Sequence, residues 1–308
     1  MALTKTGTRE SLAETPVPKS RRFRLSSITP SSPYYWIRLL LENPAAVTSF
    51  IFVGVVLLLA LLASVVAPYD PNFVNPADRL QSPSSDYWFG TDALGRDVFS
   101  RALHGARTSL LVGAAVTLGA VSIGSIIGLV AGYYRKIDTP MMRFMDGFEA
   151  FPSILLAIAI MATLGPATRN VIIALSVVYA PNISRLVRSM TLVTKGELYV
   201  ESARAIGMRD FTILRRYIFM NSLSPLIVQS TFVVAFAILA EASLSYLGAG
   251  VPPGIPTWGN MVSEGQAQIQ RAWWISVFPG SFLFLTVLAI NLIGDGLRDA
   301  LDPRSRDR

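Results

Sequence analysis

Glu201-Ser-Ala-Arg-Ala-Ile-Gly207 sits in a basic segment between two apolar spans and reads as a short helix, a forced turn and the start of a second helix. Thr194 and Glu197 have the spacing of a capping box, which satisfies the free N–H groups of a helix start. Gly207 is placed to take the left-handed conformation that ends the helix. Asp210 is then expected to cap a new helix running through Ile213, Leu214 and Tyr217. Ala203 and Gly207 lie four apart and are expected to share a face almost bare of side chain, open to close approach by another protein. A chain that builds a compact helical knob between membrane spans is expected to hand force or information to a soluble partner.

The spans follow from composition. Of 308 residues, 52% are hydrophobic and 15% charged, against about 25% charged in an ordinary soluble domain. Several runs reach the roughly 20 residues that a helix needs to cross about 30 Å of hydrocarbon. The chain is therefore an all-α polytopic membrane protein. Six spans are predicted: Ala45 to Ala67, Leu110 to Tyr133, Phe144 to Leu164, Val171 to Val187, Pro225 to Leu247 and Ile275 to Leu297. Asp146 and Glu149 dilute the start of the third, and Pro152 and Pro181 interrupt regular helix. The first run is longer than the apolar core of a signal peptide and reads as an uncleaved anchor. There is no cysteine, which excludes disulfides and thiolate chemistry, and the single histidine, His104, does not make a metal site alone. The net charge of +7 lies mostly in a few loops, which is how topology is written in a membrane protein and not the footprint of a nucleic-acid binder.

Lys and Arg set the orientation. They crowd the N-terminal tail, the stretch Arg135 to Arg143, the stretch Arg185 to Arg216, and the C-terminal tail; the opposite side has Arg79, Arg96, Arg101, Arg107, Arg169 and Arg271. Both termini and the knob are thus expected in the cytoplasm. Residues 1–33, rich in Ser, Thr, Pro and Arg, are expected to form a mobile cytoplasmic tail. The long external loop from Pro68 to about Arg107 is expected to hold a helix at the membrane surface, capped by Thr91 or Asp92, with Val98, Phe99 and Leu103 on its apolar side.

Several residues carry competing readings. Gly124, Gly128 and Gly132 form a small-residue face on the second span, for packing within the subunit or at a subunit interface. Glu241, in the fifth span about 24 Å from Pro225 by helical rise, binds a peptide amine or cation, pairs within the protein, or gates. Asp146 and Glu149, on one face of the third span, line a polar cavity or meet basic residues such as Arg143. These three acids are the pore or gate candidates. His104 reads as a surface residue of the external loop, and Trp273-Trp274 as part of an aromatic interface belt. Trp88 and Trp258 either contact an extracellular partner or cover the pore mouth. No Gly-x-x-x-x-Gly-Lys-Ser/Thr loop and no nucleophile–base set occurs, so the chain is not read as an enzyme and is expected to bind no cofactor.

Four ordered strings carry a resemblance. Glu201, Ala203 and Gly207 match the EAA loop of ABC-importer permeases, with Ser202 in place of the usual Ala and Phe219-Met220 where Leu-Pro is usual. Phe89-Gly-Thr-Asp92 with Gly95-Arg-Asp97, Ala242-Ser-Leu-Ser-Tyr-Leu-Gly-Ala-Gly250 with Trp258-Gly259, and Gly294-Asp-Gly-Leu-Arg-Asp-Ala-Leu-Asp-Pro303 resemble the dipeptide/oligopeptide and nickel branch. Residues 34–107, the first span and external loop, are similar to the N-terminal module of that branch's C-type subunits. Residues 108–308 are similar to the type I importer core, with a coupling loop at 194–220. The resemblance implies both termini inside, in the cytoplasmic (inner) membrane of a prokaryote. It also implies pairing with a second homologous permease, two ATPase subunits that hold the ATP and Mg, and an extracytoplasmic binding protein that delivers substrate. Glu201, Ala203, Arg204 and Gly207 are the implied ATPase-coupling residues. Small peptides are the implied cargo, with glutathione or a nickel complex as alternatives. A secondary transporter and a membrane scaffold are the readings from other classes.

Overall fold

Asn43 begins the first membrane helix: its side-chain oxygen accepts the N–H groups of Ala45 and Ala46, and Pro44 takes the first helical position, where a missing donor costs nothing. The computed structural model describes residues 35–301, so the expected mobile tail at 1–33 lies outside the described residues. Helix α1 (Tyr35–Glu42) is short and amphipathic, α2 (Pro44–Leu61) is the first span, and α3 (Ala63–Val66) adds one turn. The run predicted to continue to Ala67 is interrupted at Leu62, whose ψ of 7° departs from helical geometry.

The loop expected on the outside holds a 3-10 turn at Pro76–Asp78, and its expected surface helix is the start of a longer one. Val98 to Tyr133 is one continuous helix, α4, of 36 residues, and its cap is Asp97, which accepts the Ser100 N–H at 2.8 Å. Thr91 and Asp92, the predicted caps, are used elsewhere. Thr91 Oγ1 donates to the Asp78 carbonyl and accepts from the Gln81 N–H, while Asp92 accepts from the N–H groups of Leu94 and Arg96. A helix of this length rises about 54 Å, more than the roughly 30 Å of hydrocarbon, and its first turns carry His104. That residue is half-buried in α4, with Nδ1 2.9 Å from the Ser100 carbonyl, and is not a loop surface residue. Tyr87, in the same loop, donates to Asp78, which pushes its phenol up to about 12.

The predicted third span is a broken pair. Helix α5 (Arg135–Glu149) and α6 (Ser153–Leu164) meet at 92°. Pro152, which lacks an N–H and restricts the residue before it, stands at the break. The 12 residues of α6 rise about 18 Å, less than a membrane thickness. With five long apolar helices and this bent pair, the described residues hold up to six spans.

Helix α7 (Thr168–Thr194) packs along α4. Gly124, Gly128 and Gly132 lie against it: a Cβ on Gly128 would stand 2.5 Å from the Ser184 carbonyl oxygen and 2.8 Å from Val187 Cβ. The small-residue face thus serves packing inside this subunit. Two short helices, α8 (Leu198–Ala205) and α9 (Asp210–Ile213), lead through wide turns at Leu214–Phe219 into α10 (Met220–Tyr246), so the fifth span is part of one helical path from Asp210 to Tyr246. Helix α11 (Trp258–Gln266) lies outside, between α10 and α12 (Trp274–Leu301). The main core joins α4, α6, α7 and α10 through Val116, Met161, Leu175 and Leu244.

Candidate coupling site and external lid

The knob between α7 and α10 is built differently at its start than its sequence suggests. Helix α7 runs through Thr194, and α8 begins after Glu197, whose side chain makes no capping bond. The capping box therefore does not form: Thr194 is helical and cannot be a cap. The end of α8 follows the predicted geometry. Gly207 has φ +79°, the Met208 N–H donates to the Ala203 carbonyl at 3.0 Å, and the Gly207 N–H donates to the Arg204 carbonyl at 3.0 Å. This pair of bonds is a Schellman motif.

Ala203 and Gly207 do not share a face. The four-residue spacing rule holds only inside a helix, and Gly207 lies past the end of α8. Ala203 is 4% exposed and packs inward with Val200, Ile213 and Ile218. Gly207 is exposed, and a Cβ there would meet no other atom of this chain. The apolar groups that face outward are Leu198 and Ile206, each 79% exposed, and Phe211 at 72%. Glu201 and Arg204 are exposed beside them. Sequence reasoning missed these three apolar side chains, although the cost of exposing them to water was legible once the knob was expected outside the membrane.

Asp210 begins α9 but does not cap it. Its carboxylate accepts from Tyr133 Oη at 2.7 Å and from Tyr134 Oη at 3.2 Å, at the end of α4. Burial and then this bond to Asp210 raise the Tyr134 phenol above its ordinary value. The Arg204 guanidinium stands 5.2 Å from the Tyr133 ring centre, within cation–π range. Lys195 donates to the Gly132 carbonyl at 2.6 Å. The knob is thus tied to the end of α4 at both of its short helices, and it continues directly into α10.

The pore candidates fall in two places. Asp146 and Glu149 on α5 both meet Arg185 of α7, at 2.7 and 2.5 Å, rather than Arg143. Asp138 of the same helix pairs with Arg188. These ion pairs hold α5 along the end of α7 nearest the knob. Glu241 is fully buried among α4, α10 and α11; it accepts from Ser245 at 2.8 Å and from Ser109 at 3.2 Å. A cavity of about 650 Å³ opens between the knob-side ends of α7, α10 and α12, lined by Met190, Asn221, Gln229, Phe232 and Arg298 among others.

At the end of the bundle away from the knob, α11 packs on α4, α10 and α12. Trp258 is fully buried, with Nε1 donating to the Ala102 carbonyl at 3.2 Å, so it contacts no outside partner. Trp274 is likewise buried and bonded to the Thr91 carbonyl, while Trp273 is half exposed. Trp88 is exposed, with its ring tilted against Phe99 at 4.8 Å between centres. A charge cluster fastens α11 to the outer loop. Glu264 accepts from Arg96 at 2.6 Å and from Arg101 at 3.0 Å, and Arg96 also donates to Asp92 at 2.6 Å.

Residues 120–307 match the profile of the binding-protein-dependent transport system inner membrane component family. The chain belongs to this family. Residues 34–83 match the N-terminal transmembrane domain of oligopeptide transport permease C. A putative peptide transport system permease protein of Brucella suis is 49% identical over 81% of this chain and 86% of its own length. A dipeptide transport system permease of Alkalihalophilus pseudofirmus is 45% identical over 86% of this chain and 88% of its own. A glutathione transport system permease of Escherichia coli is 46% identical over 88% and 89%. Among solved structures, the inward-facing MetNI methionine ABC transporter aligns over 66% of this chain and 98% of its own at a TM-score of 0.54 and 19% identity, a likeness of fold. The protein is an inner-membrane permease component of an ABC importer, of the C type. Its family acts with a binding protein and with ATPases that hydrolyse the ATP.

Proposed function

We propose that this permease imports small peptides, and that it does so as one of two homologous permeases served by two ATPases and one extracytoplasmic binding protein. The observation that carries the mechanism is the exposed apolar surface of Leu198, Ile206 and Phe211 on a knob bonded to the end of α4. Large apolar groups held in water beside Glu201 and Arg204 suit a partner cleft with an apolar floor and a polar rim. The ATPases hold the ATP and Mg, and this chain binds neither. ATP binding draws the ATPases together, the knob follows, and the Tyr133–Asp210 and Lys195–Gly132 contacts pass the displacement to α4. Glu201, Arg204 and Gly207 form the coupling surface, and Ala203 keeps its helix seated.

The peptide reading rests on relatives named for peptide and dipeptide transport. A relative named for glutathione is similar to the same extent, and glutathione is itself a small peptide. The test is ATP hydrolysis by the whole complex in liposomes with its binding protein, against dipeptides, longer peptides, glutathione and chelated nickel. Stimulation by dipeptides or longer peptides supports the reading; stimulation by glutathione alone narrows it; stimulation by nickel alone overturns it.

A further inference from the structure

The segment joining α10 to α11 is a rigid lid. Gly248 takes φ +76°, and Pro252, Pro253 and Pro256 restrict the chain beyond it. The Asn260 side-chain amide donates to the carbonyls of Val251, Pro252 and Ile255 at 3.1, 3.3 and 3.1 Å, bracing the loop from within. Gly250 lies directly against Ser245, where no side chain fits.

Besides the Trp258–Ala102 and Arg101–Glu264 contacts, the base of this lid meets the membrane helices at the Glu241 carboxylate, which is also bonded to the Thr257 side chain at the start of α11. Ser245 Oγ donates to Glu241 Oε1 at 2.8 Å and accepts the Val251 N–H at 3.2 Å. Ser109 Oγ, on α4, donates to Glu241 Oε2 at 3.2 Å and accepts the Trp258 N–H at 3.4 Å. A hydroxyl has one proton to donate. Each serine gives it to Glu241 and so presents its lone pairs to the lid backbone. One oxygen of the carboxylate thereby fixes the lid at Val251 and the other fixes it at Trp258, the two ends of the braced loop.

We propose that Glu241 is the positioning residue of the external gate: it orients Ser109 and Ser245 so that the α10–α11 lid stays seated on α4 and α10, and the lid lifts when those helices separate. The proposal rests on the importer assignment and not on the cargo. It touches no substrate, and Glu241 is not a binding group for peptide or cation.

The natural absence of cysteine allows a direct test. Val251 is 3% exposed, and Val251→Cys reports lid opening by its rate of reaction with a charged maleimide in the purified, nucleotide-free complex. Adding Glu241→Ala is expected to raise that rate by about tenfold or more, because the serine hydroxyls lose the acceptor that orients them. Adding Glu241→Gln is expected to keep it near the parent, since an amide can accept from one serine and donate to the other. A second reporter, Ala131→Cys, lies fully buried at the far end of α4 and is expected to stay unreactive throughout. An unchanged rate with Glu241→Ala, an equal rise with both variants, or a parallel rise at Ala131→Cys would each overturn the proposal. No peptide enters the assay, so the peptide reading can fail while this one stands.

Discussion

The two ends of the molecule use opposite chemistry. The knob between α7 and α10 turns large apolar side chains outward and is held by hydrogen bonds to the partly buried Tyr133 and the exposed Tyr134. The opposite end turns its polar and charged groups inward, around Glu241 and around Arg96, Arg101 and Glu264, and buries Trp258 and Trp274. On the proposed function, an end that docks and releases a partner keeps its apolar surface free. The opposite end satisfies its polar groups within the chain, because an unpaired polar group left there would carry the full desolvation cost.

Removing Arg101 is the strongest way to break this comparison. Its side chain is 1% exposed and bridges Glu264, Asp92 and the Pro71 carbonyl. Loss of one partner of a buried pair costs about 3–5 kcal/mol, and Arg101→Ala is expected at the lower end, because Glu264 is 27% exposed and keeps Arg96. A marked fall in the thermal midpoint of the purified complex checks it.

Gly207→Asp sharpens the other end. A side chain at φ +79° is strained by about 1–2 kcal/mol, and the charge enters the exposed docking surface. The subunit is expected to assemble in the membrane while uptake falls at least about tenfold, a loss equivalent to roughly 1.4 kcal/mol of coupling. Normal uptake would remove Gly207 from the coupling surface. Ile206→Ser is the milder version. Stability is expected to change by less than about 0.5 kcal/mol, while co-purification of the ATPases weakens. Unaltered ATPase retention would mean that the exposed apolar patch faces something else.

The smallest effect is expected from Arg185→Ala. Its guanidinium is 49% exposed and its partner Asp146 57%; such pairs contribute at most about 1 kcal/mol. Melting of the complex should shift little, and a large loss would show that α5 depends on that anchor more than its exposure suggests.

Much of the fold was legible because its signals are local or additive. Apolar length marked the spans, and Gly207 was readable because a left-handed helix end is set by a few neighbouring residues. The misreadings share one cause. Thr91, Asp92, Thr194 and Asp210 all have the side chain of a cap, yet Thr194 lies inside a helix, Asp92 closes the turn at Leu94–Arg96, and Thr91 and Asp210 bond to groups outside any helix they could cap. Asp97 caps α4 because it immediately precedes the first helical residue, where its carboxylate reaches the Ser100 N–H. Ala203 turned inward because Ile213 and Ile218 return beside it, a contact that spacing along one helix cannot encode.

By itself the sequence determined a polytopic helical chain, its basic side, a glycine face on the second span and a glycine-terminated knob. Hydrophobic length, positive φ and helical period act over a turn or over a whole span, and need no knowledge of neighbours. Only the tertiary structure decided which acid caps, which pairs and which is enclosed. Asp146 and Glu149 reach Arg185, Asp210 reaches two tyrosines, and Glu241 is sealed under the lid. A polar side chain takes whichever partner its buried surroundings bring within about 3 Å, and those partners stand far away in sequence.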